Sequence, residues 1–169
     1  GQSGGMAVAL GAALRMRGFA ATYIVSTGNE AALGIEEVIE DAIEHKESPV
    51  IAVFAEQIRK PDMFRNLAWR ARAAKKPIVL LHPGASARAR DAAATHTGAR
   101  PTDHAAMREM ARQEAVILVD SFDEWIDVTT LLCHYPAPPK AGLAVITNSG
   151  AFRGMTYDWC ERLEVPLAT

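Results

Sequence analysis

Hydrophobic positions along the chain switch repeatedly between two periods. Met6, Val8, Leu10, Ala13 and Leu14 recur among helix formers up to Arg17 and give way to Gly18, which predicts a helix over 6–17. Phe19–Val25 is a short apolar, β-branched run that stops at Ser26-Thr27-Gly28-Asn29, the pattern of a buried strand followed by a loop. Ile35, Val38, Ile39, Ala42 and Ile43 return to helical spacing with acidic residues on the opposite face, and Pro49–Ala55 reads as the next strand. A helix from Pro61 to Lys75, with proline in its first turn, precedes a strand over Pro77–Leu81.

The rhythm then breaks. Residues 83–100 are rich in Ala, Arg, Ser and Gly and lack a core face, a connection longer than ordinary loops and of the kind that often carries function. A short helix is expected within it near Asp91-Ala92-Ala93-Ala94. Asp103–Gln113 is helical, Val116–Val119 a strand, and Phe122–Leu132 an amphipathic helix capped by Ser121 with Glu124 at the capping-box position. Pro136-Ala137-Pro138-Pro139 has the composition of a linker. Beyond it, Leu143–Ile146 is a predicted strand, Thr147-Asn148-Ser149-Gly150 a turn, and Phe152–Leu163 a helix.

Single strands alternating with helices imply a parallel sheet with helices on both faces, a doubly wound α/β domain. Ser3-Gly4-Gly5, a helix and Gly18-Phe19-Ala20-Ala21-Thr22 are echoed by Ser149-Gly150-Ala151, a helix and Val165-Pro166-Leu167-Ala168-Thr169. The expected organisation is therefore one domain over 1–135, a linker over 136–141, and the first β-loop-α unit of a second domain of similar design over 142–169.

Composition narrows the classes. The 169 residues are 49% apolar and 22% charged, enough to bury one domain's core. With 18 Lys+Arg against 20 Asp+Glu, the net charge of -2 offers no footprint for nucleic acid or an anionic membrane. No apolar run approaches the roughly 18 residues of a spanning helix, and the N-terminus lacks a signal-peptide layout, so a cytoplasmic location is expected. Cys133 and Cys160 are too few for a disulfide scaffold and read as reduced core residues. No His pair has the spacing of a helical metal motif, so no metal site is expected.

Four features could carry chemistry. The loops ending in Ser3-Gly4-Gly5 and Asn148-Ser149-Gly150 each precede a helix, where unpaired N–H groups, glycine and a serine hydroxyl suit a phosphate. Thr95-His96-Thr97-Gly98-Ala99 places an imidazole on a loop among hydroxyls, where it can act as a nucleophile. Glu56 follows a strand, at the edge of the sheet where such domains bind ligands, and could fix the tautomer of His96. His45, His82, His104 and His134 read as solvated. Gly1-Gln2-Ser3-Gly4-Gly5 also satisfies the Gly-x-Ser-x-Gly nucleophile elbow of serine hydrolases, though the strand and oxyanion-hole loop that the elbow needs do not precede it here.

Together these residues resemble the succinyl-CoA-ligase-like, flavodoxin-type domain of the NDP-forming acyl-CoA synthetases, the group that contains ADP-forming acetyl-CoA synthetase and succinyl-CoA synthetase. The family's Ser-x-Ser-Gly-Gly is matched by Gly1-Gln2-Ser3-Gly4-Gly5, with Gly1 in place of the usual Ser, and Val-Ser-x-Gly-Asn-Glu by Val25–Glu30. Glu-x-Ile appears as Glu56-Gln57-Ile58, Ser-His-Thr-Gly-Ala as Thr95–Ala99, and Ile-Thr-Asn-Ser-Gly as Ile146–Gly150.

The resemblance implies a flavodoxin-like, three-layer α/β/α fold and a reaction that links acid, CoA and ATP to acyl-CoA, ADP and phosphate through an acyl phosphate and a phosphohistidine. His96 would carry the phosphoryl group and Glu56 orient it. Ser3, Gly4, Gly5, Thr97, Gly98, Asn148, Ser149 and Gly150 would cradle its oxygens, with Gly28 and Asn29 in a possible substrate loop. CoA and ATP or ADP are substrates in that scheme and no cofactor is held tightly. A CoA-binding Rossmann domain and an ATP-grasp domain, the latter holding Mg, would be partners in the same protein or another subunit, an oligomer is expected, and the isolated chain would not turn over.

The sequence departs from the family at His82-Pro83-Gly84-Ala85, where Lys-x-Gly-Arg is usual, at Arg100, and at Ala151-Phe152-Arg153. Some relatives keep this domain as a non-catalytic sensor fused to an acetyltransferase. An acyl-CoA- or nucleotide-sensing module is thus the alternative, with a serine hydrolase third.

Overall fold

The computed structural model describes residues 1–45, 47–89, 91, 103–135 and 140–168. The chain divides into two compact units, Gly1–Pro136 and Ala137–Thr169.

In the first unit the elements run α1 (Gly4–Met16), α2 (Ile35–Glu44), β1 (Ile51–Phe54), α3 (Pro61–Ala73), β2 (Ile78–Leu81), α4 (His104–Gln113), β3 (Ile117–Val119) and α5 (Phe122–His134). The strands form one parallel sheet in the order β1-β2-β3, with Ile51 opposite Ile78 and Val79 opposite Ile117. Such strands carry apolar residues on both faces, and β2 is buried at every position.

The pleat then sorts side chains into two cores. Ile51, Val53, Ile78 and Leu80 point to one face and pack with Ile39 of α2, Phe64 and Leu67 of α3 and Met107 of α4. Phe54, Val79, Leu81 and Val119 point to the other, against Leu10 and Leu14 of α1 and Trp125 and Ile126 of α5. The result is a three-layer α/β/α arrangement of flavodoxin type. Trp125, 2% exposed, donates its indole N–H to the Val79 carbonyl, so the largest buried side chain also satisfies its polar atom.

Helix ends follow local chemistry. Ser3 caps α1 by accepting from the Met6 N–H, Asp103 caps α4 and Ser121 caps α5. Gly18 closes α1 at φ +80, with the Gly18 and Phe19 N–H groups bonded to Arg15 and Leu14 carbonyls. Two helices are capped from elsewhere: Glu30 accepts from the Ile35 N–H at the start of α2, and buried Glu36 of α2 accepts from the Lys60 N–H at the start of α3.

Three expectations change. Phe19–Val25 is not a strand: among the described residues its only links to a neighbouring backbone, the α1 closure aside, are at its end, where Val25 accepts from the Gly1 amine. The segment is apolar because it lines a cavity, which periodicity cannot tell from pairing in a ladder. The short helix expected at 91–94 begins earlier. Ala87, Arg88, Ala89 and Asp91 are helical, with Ser86 accepting from the Ala89 N–H, and residues 92–94 lie outside the described residues.

The third change falls in the second unit, where Leu143–Ile146 contributes a single parallel bridge between Leu143 and Leu167 in place of a strand. Gly142 is needed there, since a Cβ would lie 2.5 Å from the Leu167 carbonyl carbon. The rest of that unit is α6 (Gly150–Arg162), capped by Ser149 accepting from the Phe152 N–H.

Candidate functional site

β1 delivers Glu56 and Gln57 to the carboxyl edge of the sheet, the edge at which open α/β domains bind ligands. There they meet the start of α1 and the loop after Val25. Gln2, Ser3, Gly28, Asn29, Glu56, Gln57 and Arg59 line one cavity of about 50 Å³. The structure thus brings together Ser3, Gly28, Asn29 and Glu56, four residues singled out from sequence and spread over 54 positions of chain.

Gln2 fixes one wall. Its side-chain oxygen accepts from the Glu56 N–H at 2.7 Å and the Gln57 N–H at 3.0 Å, and its amide donates to the Gln57 carbonyl at 2.8 Å. These bonds hold the backbone of Glu56, and leave its carboxylate without hydrogen bond or ion pair among the described residues. Gly4 and Gly5 open α1, and their N–H groups make no bond among the described residues, so two donors and the positive helix end remain available to an anion.

The opposite wall is held by charge. Gly28 turns at φ +56 and Glu30 at φ +55, the latter conformation rare for a side-chain-bearing residue. The Glu30 carboxylate, 1% exposed, accepts from the Thr27 hydroxyl and the Ile35 N–H and pairs with the Arg59 guanidinium at 3.1 Å. These contacts pin the strained loop and anchor Arg59 on the cavity rim.

His82, directly after β2, corrects the solvated reading. It is 4% exposed, its Nδ1 lies 2.6 Å from the Ala55 carbonyl, and its ring stands edge-on to His104. Burial lowers its pKa against the opposing effect of the Ala55 bond, with His104 adding to the lowering. His45 and His104 are half-buried, His45 edge-on to Tyr23, whereas His134 is exposed. Cys160 is buried and Cys133 half-buried.

Ser3 does not have the backbone of a nucleophile elbow. The elbow is a strained turn, and Ser3 sits in relaxed extended geometry at φ -93, ψ 120 with its hydroxyl oxygen engaged as a helix cap. Asn148, Ser149 and Gly150 form the start of α6 in the second unit, where Ser149 donates its N–H to the Thr147 hydroxyl. His96, Thr97 and Gly98 lie outside the described residues. No cluster of metal-ligating side chains occurs among the described residues, and none of their helices is long and apolar enough to cross a membrane.

Sequence reasoning missed Gln2 and Arg59 as parts of the site. Gln2 sits inside the Gly-x-Ser-x-Gly segment, where attention falls on Ser3, and its partners are 54 and 55 residues away. Arg59 follows the Glu-x-Ile pattern by one position, and no local signal marks its pairing with Glu30.

Residues 1–132 match the family described as the succinyl-CoA ligase like flavodoxin domain. The chain belongs to this family. It is 43% identical over 98% of its length to a trans-feruloyl-CoA synthase from an unknown prokaryotic organism, and 33% identical over 99% to acetate–CoA ligase (ADP-forming) I of Archaeoglobus fulgidus. It spans 24% of each of those proteins. Its fold matches the dinucleotide-forming acetyl-coenzyme A synthetase 1 of Candidatus Korarchaeum cryptofilum, solved with phosphate and ADP, with a TM-score of 0.86 at 26% identity over 98% of this chain and 36% of that one.

Proposed function

We propose that this succinyl-CoA-ligase-like domain serves an NDP-forming acyl-CoA synthetase, interconverting acid, CoA and ATP with acyl-CoA, ADP and phosphate. In that reading, a ring nitrogen of His96 attacks the γ-phosphorus of ATP, an N–P bond forms and ADP leaves. The phosphoryl group then passes to the substrate carboxylate, freeing His96, and the CoA thiolate attacks the acyl carbon and expels phosphate. CoA and ATP would be handled by a Rossmann domain and a Mg-holding ATP-grasp domain, in the same protein or a partner subunit.

The observation that carries this reading is the convergence of Ser3, Gly28, Asn29 and Glu56 on one polar cavity beside the N-terminus of α1. Phosphoryl transfer asks a protein mainly for positioning and charge stabilisation, and free N–H groups at a helix start supply both without a metal of their own. Glu56, fixed through its backbone and with no hydrogen bond or ion pair at its carboxylate among the described residues, is available to a histidine N–H. Ser149 and Gly150 at the start of α6 offer a second cradle of the same design.

The test uses the full-length protein and ATP labelled in its γ-phosphoryl group. Acid-labile, base-stable label that is absent from His96→Ala supports the ligase. Acyl-CoA formation that survives His96→Ala refutes the phosphohistidine, and acyl-CoA binding without label assigns the domain to sensing. Covalent labelling of Ser3 by a fluorophosphonate would point to a hydrolase.

A further inference from the structure

The parallel ladder between β1 and β2 stops one bond short of Glu56. Ile51 donates its N–H to the Pro77 carbonyl at 3.0 Å and Ala55 its own to the Leu81 carbonyl at 3.2 Å, with Ile51 opposite Ile78 and Phe54 opposite Leu81. In this register each bonded residue of β1 gives its N–H to one residue of β2 and takes the N–H of the residue two further on. For Ala55 the second donor is due from position 83. Pro83 stands there and has no N–H to give. Ala55 is 0% exposed, so its carbonyl would be left without a partner where that is costly.

The imidazole of His82 supplies the missing donor. Its Nδ1 lies 2.6 Å from the Ala55 oxygen, close enough for the ring N–H to take the place of the ladder bond. The Ala55 carbonyl and the Glu56 N–H belong to one planar peptide unit. That N–H is also held, by the Gln2 side-chain oxygen at 2.7 Å. One peptide plane is thus gripped at both ends, by His82 from the end of β2 and by Gln2 from the start of α1. Rotating the plane would swing the Cα–Cβ bond of Glu56, so the grip decides where its carboxylate points. His82-Pro83 is also one of the places where this chain departs from the family's motif, which makes the device a property of this chain.

We propose that His82 is a positioning residue for Glu56: its Nδ1–H replaces the ladder bond that Pro83 cannot make and sets the direction of the Glu56 carboxylate in the cavity it shares with Ser3, Gly28 and Asn29. The imidazole acts through the Ala55–Glu56 peptide and is not itself a catalytic residue. The proposal rests on the role given above to Glu56 in phosphoryl transfer.

Two readouts on the full-length protein do not depend on catalysis. The 15N shifts of His82 at pH 7.5 are expected to show a protonated Nδ1 and an unprotonated Nε2, and a proton on Nε2 alone overturns the proposal. In His82→Leu, amide exchange at Glu56 should rise about tenfold more than at Ile51 at the far end of β1, whereas general loosening raises both alike and would overturn it. The third readout is the rate of phosphohistidine formation from ATP labelled in its γ-phosphoryl group. His82→Leu should slow it about tenfold, and His82→Asn, which keeps a donor for Ala55, should restore most of the rate. An asparagine variant as slow as the leucine one overturns the proposal, since ring bulk and not the donor would then matter. In a Glu56→Gln background His82→Leu should add less than about a twofold effect, and a full slowing there would place the action of His82 elsewhere. A wild-type protein that takes no label refutes the ligase reading, while the tautomer and the exchange rates still decide whether His82 fixes Glu56.

Discussion

The Nδ1 of His82 lies 2.6 Å from the carbonyl oxygen of Ala55, joining the end of β2 to the end of β1 beneath the candidate site. A carbonyl only accepts, so Nδ1 carries the proton and donates. Nε2 is buried without a partner among the described residues, so protonating it would add an unsatisfied N–H.

This geometry gives a pH dependence with a definite sign. The folded pKa of His82 lies below the ordinary histidine value, so the unfolded chain binds the extra proton first. Stability is full above about pH 6.5 and falls as pH drops from there toward the folded pKa. Thermal unfolding between pH 7.5 and 5 should show this decline, and His82→Asn, which keeps a donor for Ala55, should flatten it. An unchanged slope in that variant would assign the decline to other groups.

Gln2 is expected to contribute more than its half-buried position near the start of α1 suggests. Gln2→Ala removes three hydrogen bonds from the Glu56–Gln57 backbone and should cost roughly 1–3 kcal/mol in urea denaturation. Gln2→Glu keeps the acceptor but sets an oxygen against the Gln57 carbonyl. It should be the worse variant at pH 7 and recover partly on acidification.

Glu30 and Arg59 should be coupled. Arg59→Met leaves a carboxylate that is 1% exposed without its cation, whereas Glu30→Gln removes the charge itself and frees a partly exposed arginine. Arg59→Met is therefore the more damaging single change, and a double-mutant cycle read by denaturant unfolding should give a coupling of about 0.5–3 kcal/mol. Additive effects would mean that the pair does not hold the loop.

If Glu56 orients the reactive imidazole, Glu56→Gln slows formation of the phosphorylated protein by about 10²-fold, within the range for such assisted transfers, while leaving unfolding unchanged. The carboxylate makes no hydrogen bond or ion pair among the described residues, so stability and activity separate in this variant. Rapid-quench phosphorylation and a melting curve on the same sample decide it.

The strands of the sheet and the position of Glu56 were legible because both follow from local pattern. Ile51–Phe54 and Ile78–Leu81 are apolar runs bounded by turn residues, and Glu56 comes just past a strand end. Phe19–Val25 carries the same signal without the ladder, because an apolar run reports burial and leaves the hydrogen-bond partner open. Gln2, Arg59 and His82 owe their roles to contacts spanning 27 to 55 residues, for which no spacing rule exists. Loop and strand-end patterns singled out Ser3 and Glu56, the family resemblance added Gly28 and Asn29, and the contacts that stiffen the cavity they line came only with three dimensions.

The backbone bonds from Gly1 to Val25 and from Gln2 to Phe54 lie next to the serine that caps α1, with no residue between them. Side chains of an extended backbone alternate direction at every residue, so one residue added or lost ahead of Ser3 would turn the hydroxyl away from the cavity and bring the Gln2 clamp out of reach of Glu56. Reading frame in the pleat is thus itself a determinant of the site: lengthening the loop at 31–34 should be tolerated, while a single-residue shift at positions 1–3 should abolish the cradle with every side chain still present.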